Sequence, residues 1–389
     1  MTTTRNLEAL GLSSEALEKL YARVAKTVGD PPRCAAQVAI ARHGRLAGVR
    51  TFGRARFAGA ERDADDDSLF AIFSVTKAIT SSAVWLLLQD EKLALGERVA
   101  EHIPEFGSHG KEVVTVEQLL THTAGFPRAP FAAADWRDPA RRLERFAAWR
   151  LDWEPGSRFV YHSGSTMWVL AELITRASGV DYREFLRARV FEPLELRDLF
   201  VGLPDREHQR VAEVVAVGER MTTEARAVSP VDAPVIDADD LRSINEPENR
   251  RLSGPGGGGI ATAAGMALFL DALLSDWRGD GAGIWQRNTL EDAWTPRQVD
   301  LIDPMTRQPA RRGLGVVTAG AEGKMWRGFP ENVSPRTFGH MGAGGQVAWA
   351  DPETGLCFAY FTNGAQQDAA RQGATGFRLS TLAASCVVD

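Results

Sequence analysis

The run Phe73-Ser74-Val75-Thr76-Lys77-Ala78-Ile79-Thr80-Ser81-Ser82-Ala83-Val84-Trp85-Leu86-Leu87-Leu88 decides how this chain is read. It contains no Pro or Gly and carries apolar residues on most sides of a helical wheel, the pattern of a helix buried in a core. A helix is predicted over residues 74–93, with Ser74 in its first turn. Three-residue spacing puts Ser74 and Lys77 on one face of that helix. A serine hydroxyl is a poor nucleophile until an adjacent base takes its proton. A lysine on so apolar a helix is costly to bury unless it is paired or neutral, which marks Lys77 as a candidate base. A serine at a helix start also has a backbone N–H without an intrahelical partner, free to bind a negative oxygen. Spacing alone is weak, because a bare Ser-x-x-Lys arises by chance in most long sequences.

Upstream of this helix, residues 14–28 place Leu17, Leu20, Tyr21 and Val24 at helical period behind the capping candidates Ser13 and Ser14. Residues 34–42 and 46–53 read as a β-hairpin turned at His43 and Gly44. Downstream, residues 97–253 read as helix and loop, with helical spacing at 116–121, 139–149, 165–178 and 182–190 and no strand. Residues 218–259 hold Pro230, Pro234, Pro247 and Pro255, a long loop of the kind that often rims a site. The closing run Gly254-Pro255-Gly256-Gly257-Gly258-Gly259 reads as a flexible turn. A nucleotide-binding reading would need a strand before it and an acidic residue at the right distance after it. A helix starts near Thr262. Residues 313–318, 337–341, 345–350 and 356–362 read as strands, with a hairpin turn at 351–355, and a last helix covers 368–386.

The expected fold class is therefore α+β: an antiparallel sheet assembled from both ends of the chain, flanked by N- and C-terminal helices, with an inserted helical lobe. Residues 1–83 with 255–389 would form the α/β lobe and 84–254 the helical one. The cleft between them is the natural ligand site.

Composition narrows the function classes. The 389 residues include 44% hydrophobic and 25% charged side chains, the balance of a globular protein large enough for one big or two joined domains. A formal charge of −6 argues against a nucleic-acid partner. Three scattered cysteines suit reduced thiols rather than a disulfide framework or a zinc ribbon. The seven histidines show no ligand spacing, so neither metal nor cofactor is expected. Asp63, Asp65, Asp66 and Asp67 lack the glycine and closing glutamate of a calcium loop. Met1 to Leu10 has no charged start followed by an apolar run, and no apolar stretch approaches the ~20 residues of a membrane span. A cytoplasmic enzyme is the expectation, with oligomeric state left open.

Ser74-Val75-Thr76-Lys77 at the head of a buried helix resembles the active-site serine motif of class C β-lactamases, penicillin-binding proteins and the related family VIII type carboxylesterases. The resemblance extends along nearly the whole chain. It includes Leu119-Leu120-Thr121-His122-Thr123-Ala124-Gly125, Trp153-Glu154-Pro155-Gly156-Ser157 leading into Tyr161, residues 256–262, and Asp351-Pro352-Glu353-Thr354-Gly355-Leu356 before Thr362-Asn363-Gly364. It implies the β-lactamase/transpeptidase fold, with Ser74 as nucleophile and Lys77 and Tyr161 moving its proton. The family's Tyr-x-Asn motif reads Tyr161-His162-Ser163 here, so Ser163 stands in the asparagine's place, unless Gly164 lets Ser165 serve instead.

Gly339-His340-Met341-Gly342-Ala343 resembles the family's Lys-Thr-Gly strand with histidine in the lysine position. The resemblance implies an oxyanion hole from the N–H groups of Ser74 and Ala343, and a substrate cleft lined by His340, Gly342, Phe126 and Ser163. Whether Lys77 or Tyr161 is the base stays open, since a tyrosine with a reference pKa of ~10 needs nearby cations to act as one. Lysine is a cation suited to a substrate carboxylate, whereas histidine titrates near neutrality and is often uncharged. The expectation therefore moves from penicillins to small-molecule esters and an acyl-enzyme on Ser74. The alternatives are a β-lactamase, a D-amino-acid peptidase or amidase, or an acyltransferase on the same fold, and a non-catalytic binding protein that retains it.

Overall fold

A computed structural model describes residues 7–29, 34–219 and 238–388. The strands that form the main sheet are Ala35–Arg42 (β1), Arg45–Phe57 (β2), Ala60–Asp63 (β3), Val317–Thr318 (β4), Phe338–Gly342 (β5), Gln346–Ala350 (β6) and Leu356–Thr362 (β7). They lie in the order β4-β5-β6-β7-β1-β2-β3, every neighbour antiparallel. The two ends of the chain meet at the centre, where β1 pairs with β7 through Val38 opposite Tyr360 and Ala39 opposite Ala359.

Both faces of these central strands are covered, which is why they read as unbroken apolar runs. Ala36, Val38 and Ile40 share one cluster with Leu356, Phe358 and Tyr360, and with Leu17, Leu20, Tyr21 and Val24 of helix α1 (Ser14–Ala25). The period of two sends Ala35, Ala39, Ala41, Ala359 and Phe361 to the opposite face. There they join the side chains of α2 (Thr76–Gln89), α3 (Ser165–Ser178) and α4 (Ala263–Arg278) in a second cluster. The last helix, α5 (Ala369–Ala384), adds Leu379 and Ala383 to the α1 side. Capping fixes three of the starts: Ser13 Oγ accepts from the N–H of Ala16, Thr262 Oγ1 from that of Gly265, and Asp368 from those of Ala370 and Arg371.

The opposite-face core runs from the sheet into the helical region without a break, through Val84, Trp85, Met167, Trp168 and Leu170. Helix α2 crosses positions 83 and 84 intact, so the lobe boundary expected there falls inside a helix that serves both sides.

Four expectations need correction. The helix expected over 74–93 begins as a 3₁₀ turn at Phe73–Val75 and ends at Gln89. Glu91 adopts φ 54° and the N–H of Lys92 turns back onto Leu87 O at 2.9 Å, closing the helix early. The strand expected over 313–318 is reduced to β4, because Gly315 turns at φ 80° hard against α2. A Cβ there would meet Ser81 Oγ at 1.8 Å. The region 97–253 is not free of strands: Leu199–Phe200 pairs with Ile260–Ala261, and Val215–Val217 runs parallel to Gly364–Gln366. Strands of two or three residues are too short to show alternation. Of the loop expected over 218–259, residues 220–237 lie outside the described residues. Ala238–Arg242 and Pro247–Leu252 are short helices.

Candidate active site

The first turn of α2 is gripped from three directions. Lys77 is fully buried, and its Nζ donates to Ser163 O at 2.8 Å and to Gly256 O at 2.7 Å and lies 3.3 Å from Ser74 Oγ. Phe73, at φ 43°, precedes Ser74 in a conformation that non-glycine residues seldom adopt. Strain of this kind persists only where the surroundings fix it. They do here: Thr76 Oγ1 donates to Phe73 O at 2.5 Å and accepts from the N–H of Gly259 at 2.9 Å, while Thr80 Oγ1 donates to Pro255 O at 2.7 Å.

The glycine run is thus a wall of the site rather than a flexible turn. Added Cβ atoms would lie 3.3 Å from Lys77 Nζ at Gly256, 2.4 Å from Gly254 N at Gly258 and 2.7 Å from Thr76 Oγ1 at Gly259. Glycine is needed at 259 because the wall stands against Thr76 at the start of α2, and at 258 because the loop folds back onto its own backbone at Ser253 and Gly254.

Tyr161 is half-buried beside this pair. Its ring centre lies 5.1 Å from Lys77 Nζ, 4.8 Å from the ring of His122 and 6.0 Å from that of His340. Its buried hydroxyl has no hydrogen-bond partner among the described residues. Ser163 contributes its backbone carbonyl to Lys77 and leaves its side chain exposed, while Ser165 Oγ donates to Phe126 O at 2.9 Å. Phe126 itself needs correction as a cleft-lining residue. It is 1% exposed, its ring enclosed by Phe106, Trp149 and His162, and its N–H donates to His162 Nε2.

His340 lies on β5, with Nδ1 2.6 Å from Met341 O. A carbonyl can only accept, so the proton sits on Nδ1 and Nε2 is an acceptor. That Nε2 is buried and unpartnered among the described residues. Burial, with the Arg312 guanidinium close by, holds this imidazole well below the usual histidine range, so it is neutral. Gly342 ends β5 against the turn that carries Ser74: a Cβ on Gly342 would be 2.5 Å from Ile72 O. Ala343 follows at the start of a short 3₁₀ turn.

Two neighbours were not foreseen. His122 packs against Tyr161 with the two rings tilted by 53°, and Arg312 lies with its Cζ 5.6 Å from the centre of the Tyr161 ring and 5.1 Å from that of Phe159. Arg312 is nearly buried and reaches Asp303 Oδ2 at 3.7 Å. Nothing in the local pattern Arg311-Arg312-Gly313 marks it as part of a site. A cavity of about 990 Å³ lies elsewhere, lined by Arg183, Arg187, Asp198 and Arg210 and by none of the residues named above around Ser74, Lys77, Tyr161 and His340. Two of its arginines are paired within the chain, Arg183 with Asp181 and Arg210 with Asp198.

Sheet, inserted helices and sequence relationships together define a serine hydrolase. The Beta-lactamase family profile matches residues 22–383, and the chain belongs to that family. It is 28% identical over 327 residues to "Esterase/beta-lactamase LipL" of Mycobacterium tuberculosis, covering 76% of this chain and 70% of that one. It is 29% identical over 349 residues to "Esterase EstB" of Burkholderia gladioli, covering 84% and 85%. The crystal structure of a penicillin-binding protein homolog from Caulobacter crescentus superimposes with a TM-score of 0.77 at 27% identity, covering 96% of this chain and 98% of that one. Among the described residues, no helix is long and apolar enough to cross a membrane.

Proposed function

We propose that this chain is a serine carboxylesterase that hydrolyses small, uncharged esters through an acyl-enzyme on Ser74. The observation that carries the reading is the environment of Lys77 Nζ. With two N–H bonds given to Ser163 O and Gly256 O, a neutral amine has its lone pair left for Ser74 Oγ, 3.3 Å away. The two carbonyls thus aim the base at the nucleophile.

Ser74 Oγ attacks the ester carbonyl carbon as its proton passes to Lys77. The oxyanion is held by the N–H groups of Ser74 and Ala343, a role supported by the close approach of Gly342 to Ile72. The Tyr161 hydroxyl protonates the departing alkoxide and recovers a proton from the Lys77 ammonium. Water then attacks the acyl carbon, giving its proton to the same pair, and Ser74 leaves with a proton restored. The unpartnered Tyr161 hydroxyl is in keeping with a group that waits for a substrate oxygen.

His340 supports esters over penicillins. It offers a neutral ring with an acceptor nitrogen where a β-lactam carboxylate requires a cation or a donor. The charge of Arg312 faces Asp303 instead. The name of the EstB relative points the same way, while LipL is named for both activities. The test is turnover of a short-chain aryl ester beside a chromogenic cephalosporin. Ester turnover that vanishes in Ser74→Ala is the expected result. Much faster cephalosporin turnover would overturn the esterase reading.

A further inference from the structure

We infer that His122 is the positioning residue that holds Tyr161 in register with Ser74 and Lys77, by pinning the backbone on both sides of the tyrosine. His122 is 2% exposed and adopts φ 59°, a conformation uncommon for histidine. That turn lets its backbone and its ring face the same strand of chain. Its carbonyl accepts from the N–H of Val160 at 3.3 Å, and its Nδ1 accepts from the N–H of His162 at 3.2 Å. Tyr161 lies between these two attachment points, and the His122 ring lies against its ring, centres 4.8 Å apart.

An Nδ1 that accepts from an amide carries no proton, so His122 is the Nε2–H tautomer and neutral. Burial, with the Arg312 guanidinium nearby, favours that state. The role matters because nothing holds the far end of Tyr161. Its hydroxyl is without a hydrogen-bond partner among the described residues, and its other neighbours meet the ring at a distance: Lys77 Nζ at 5.1 Å, Arg312 Cζ at 5.6 Å and the His340 ring at 6.0 Å from its centre. The placement of the hydroxyl therefore follows from the backbone at 160–162. A displacement of about 1 Å of a reacting group can cost on the order of 10²-fold in rate.

This inference rests on Tyr161 acting as proposed above. Its test compares His122→Gly, which keeps the left-handed backbone without strain but removes the acceptor, with His122→Asn. Asparagine tolerates positive φ and sets Oδ1 at the position of Nδ1. Ester turnover by His122→Gly should fall about 10- to 100-fold in kcat with KM within about threefold, while His122→Asn should recover most of the loss. Equal kcat in the two variants, whether both high or both low, would overturn the role of the acceptor. A histidine-labelled NMR spectrum of the unsubstituted protein tests it without any variant. His122 should be the Nε2–H tautomer, and an Nδ1–H tautomer or an imidazolium at pH 7 would refute the staple. Ser74→Ala is the reference: activity surviving there discards the acyl-enzyme reading, whereas its loss beside an unaffected His122→Gly discards only the staple.

Discussion

Removing Ser74 and removing Lys77 have different expected consequences. Among the described residues Ser74 Oγ is held only by the 3.3 Å contact with Lys77, so Ser74→Ala should leave the unfolding temperature within a few degrees of the parent. Its ester turnover should drop by about 10⁴-fold or more. Lys77→Ala should cost activity and stability together, because Ser163 O and Gly256 O lose their buried donor, at about 1–3 kcal/mol. Both are read from kcat and thermal unfolding of the same samples, and a Lys77→Ala protein with unchanged turnover would remove lysine from the chemistry. His340→Lys probes selectivity. Placing an ammonium on β5 should raise cephalosporin turnover relative to aryl-ester turnover by tenfold or more, and an unchanged ratio would mean that this position does not select against a carboxylate.

At the scale of the elements, the glycine wall and the end of β5 set the distances. Gly342→Ala would push its Cβ against Ile72 O, so β5 should move off the turn that carries Ser74. The expected result is a loss of about 10²-fold in kcat with a small change in KM, the signature of an oxyanion contact made in the transition state. An equal rise in KM would instead place the strand in ground-state binding. The elements most legible in the sequence were those whose apolar pattern is continuous. These are α2, whose start at Ser74 was right to within a short 3₁₀ turn, and β7, whose bounds match the expectation. What stayed hidden depended on contacts distant in sequence. Residues 254–259 look like any loose turn until Lys77, Thr76 and Thr80 bond to Gly256, Gly259 and Pro255. Arg312 has no local pattern to announce that its guanidinium lies 5.6 Å from the Tyr161 ring centre. Phe126 lies next to Gly125 in a motif suggestive of a cleft, yet the aromatic cluster of Phe106 and Trp149 takes its ring inward.

For the molecule as a whole, the site is a store of buried neutral imidazoles. His162 is pushed down to about 4 by burial, against a reference value of 6.5. The unfolded chain therefore binds its proton first as pH falls. The sign is that stability is full above pH 6.5 and declines by about 1.4 kcal/mol per pH unit toward pH 4 for this group alone. His122 and His340 are depressed by burial as well and add to the decline. Thermal unfolding followed from pH 8 to pH 4.5 should show a steepening loss below pH 6.5, and a flat profile between pH 6.5 and 5 would mean that these rings are solvated.

The most direct test of the whole assignment is mass spectrometry of the protein after brief reaction with a fluorophosphonate or a slowly hydrolysed aryl ester. A single adduct is predicted on the peptide carrying Ser74, absent from Ser74→Ala. An adduct on another residue, or an unlabelled Ser74 in folded protein that still turns over esters, would contradict it.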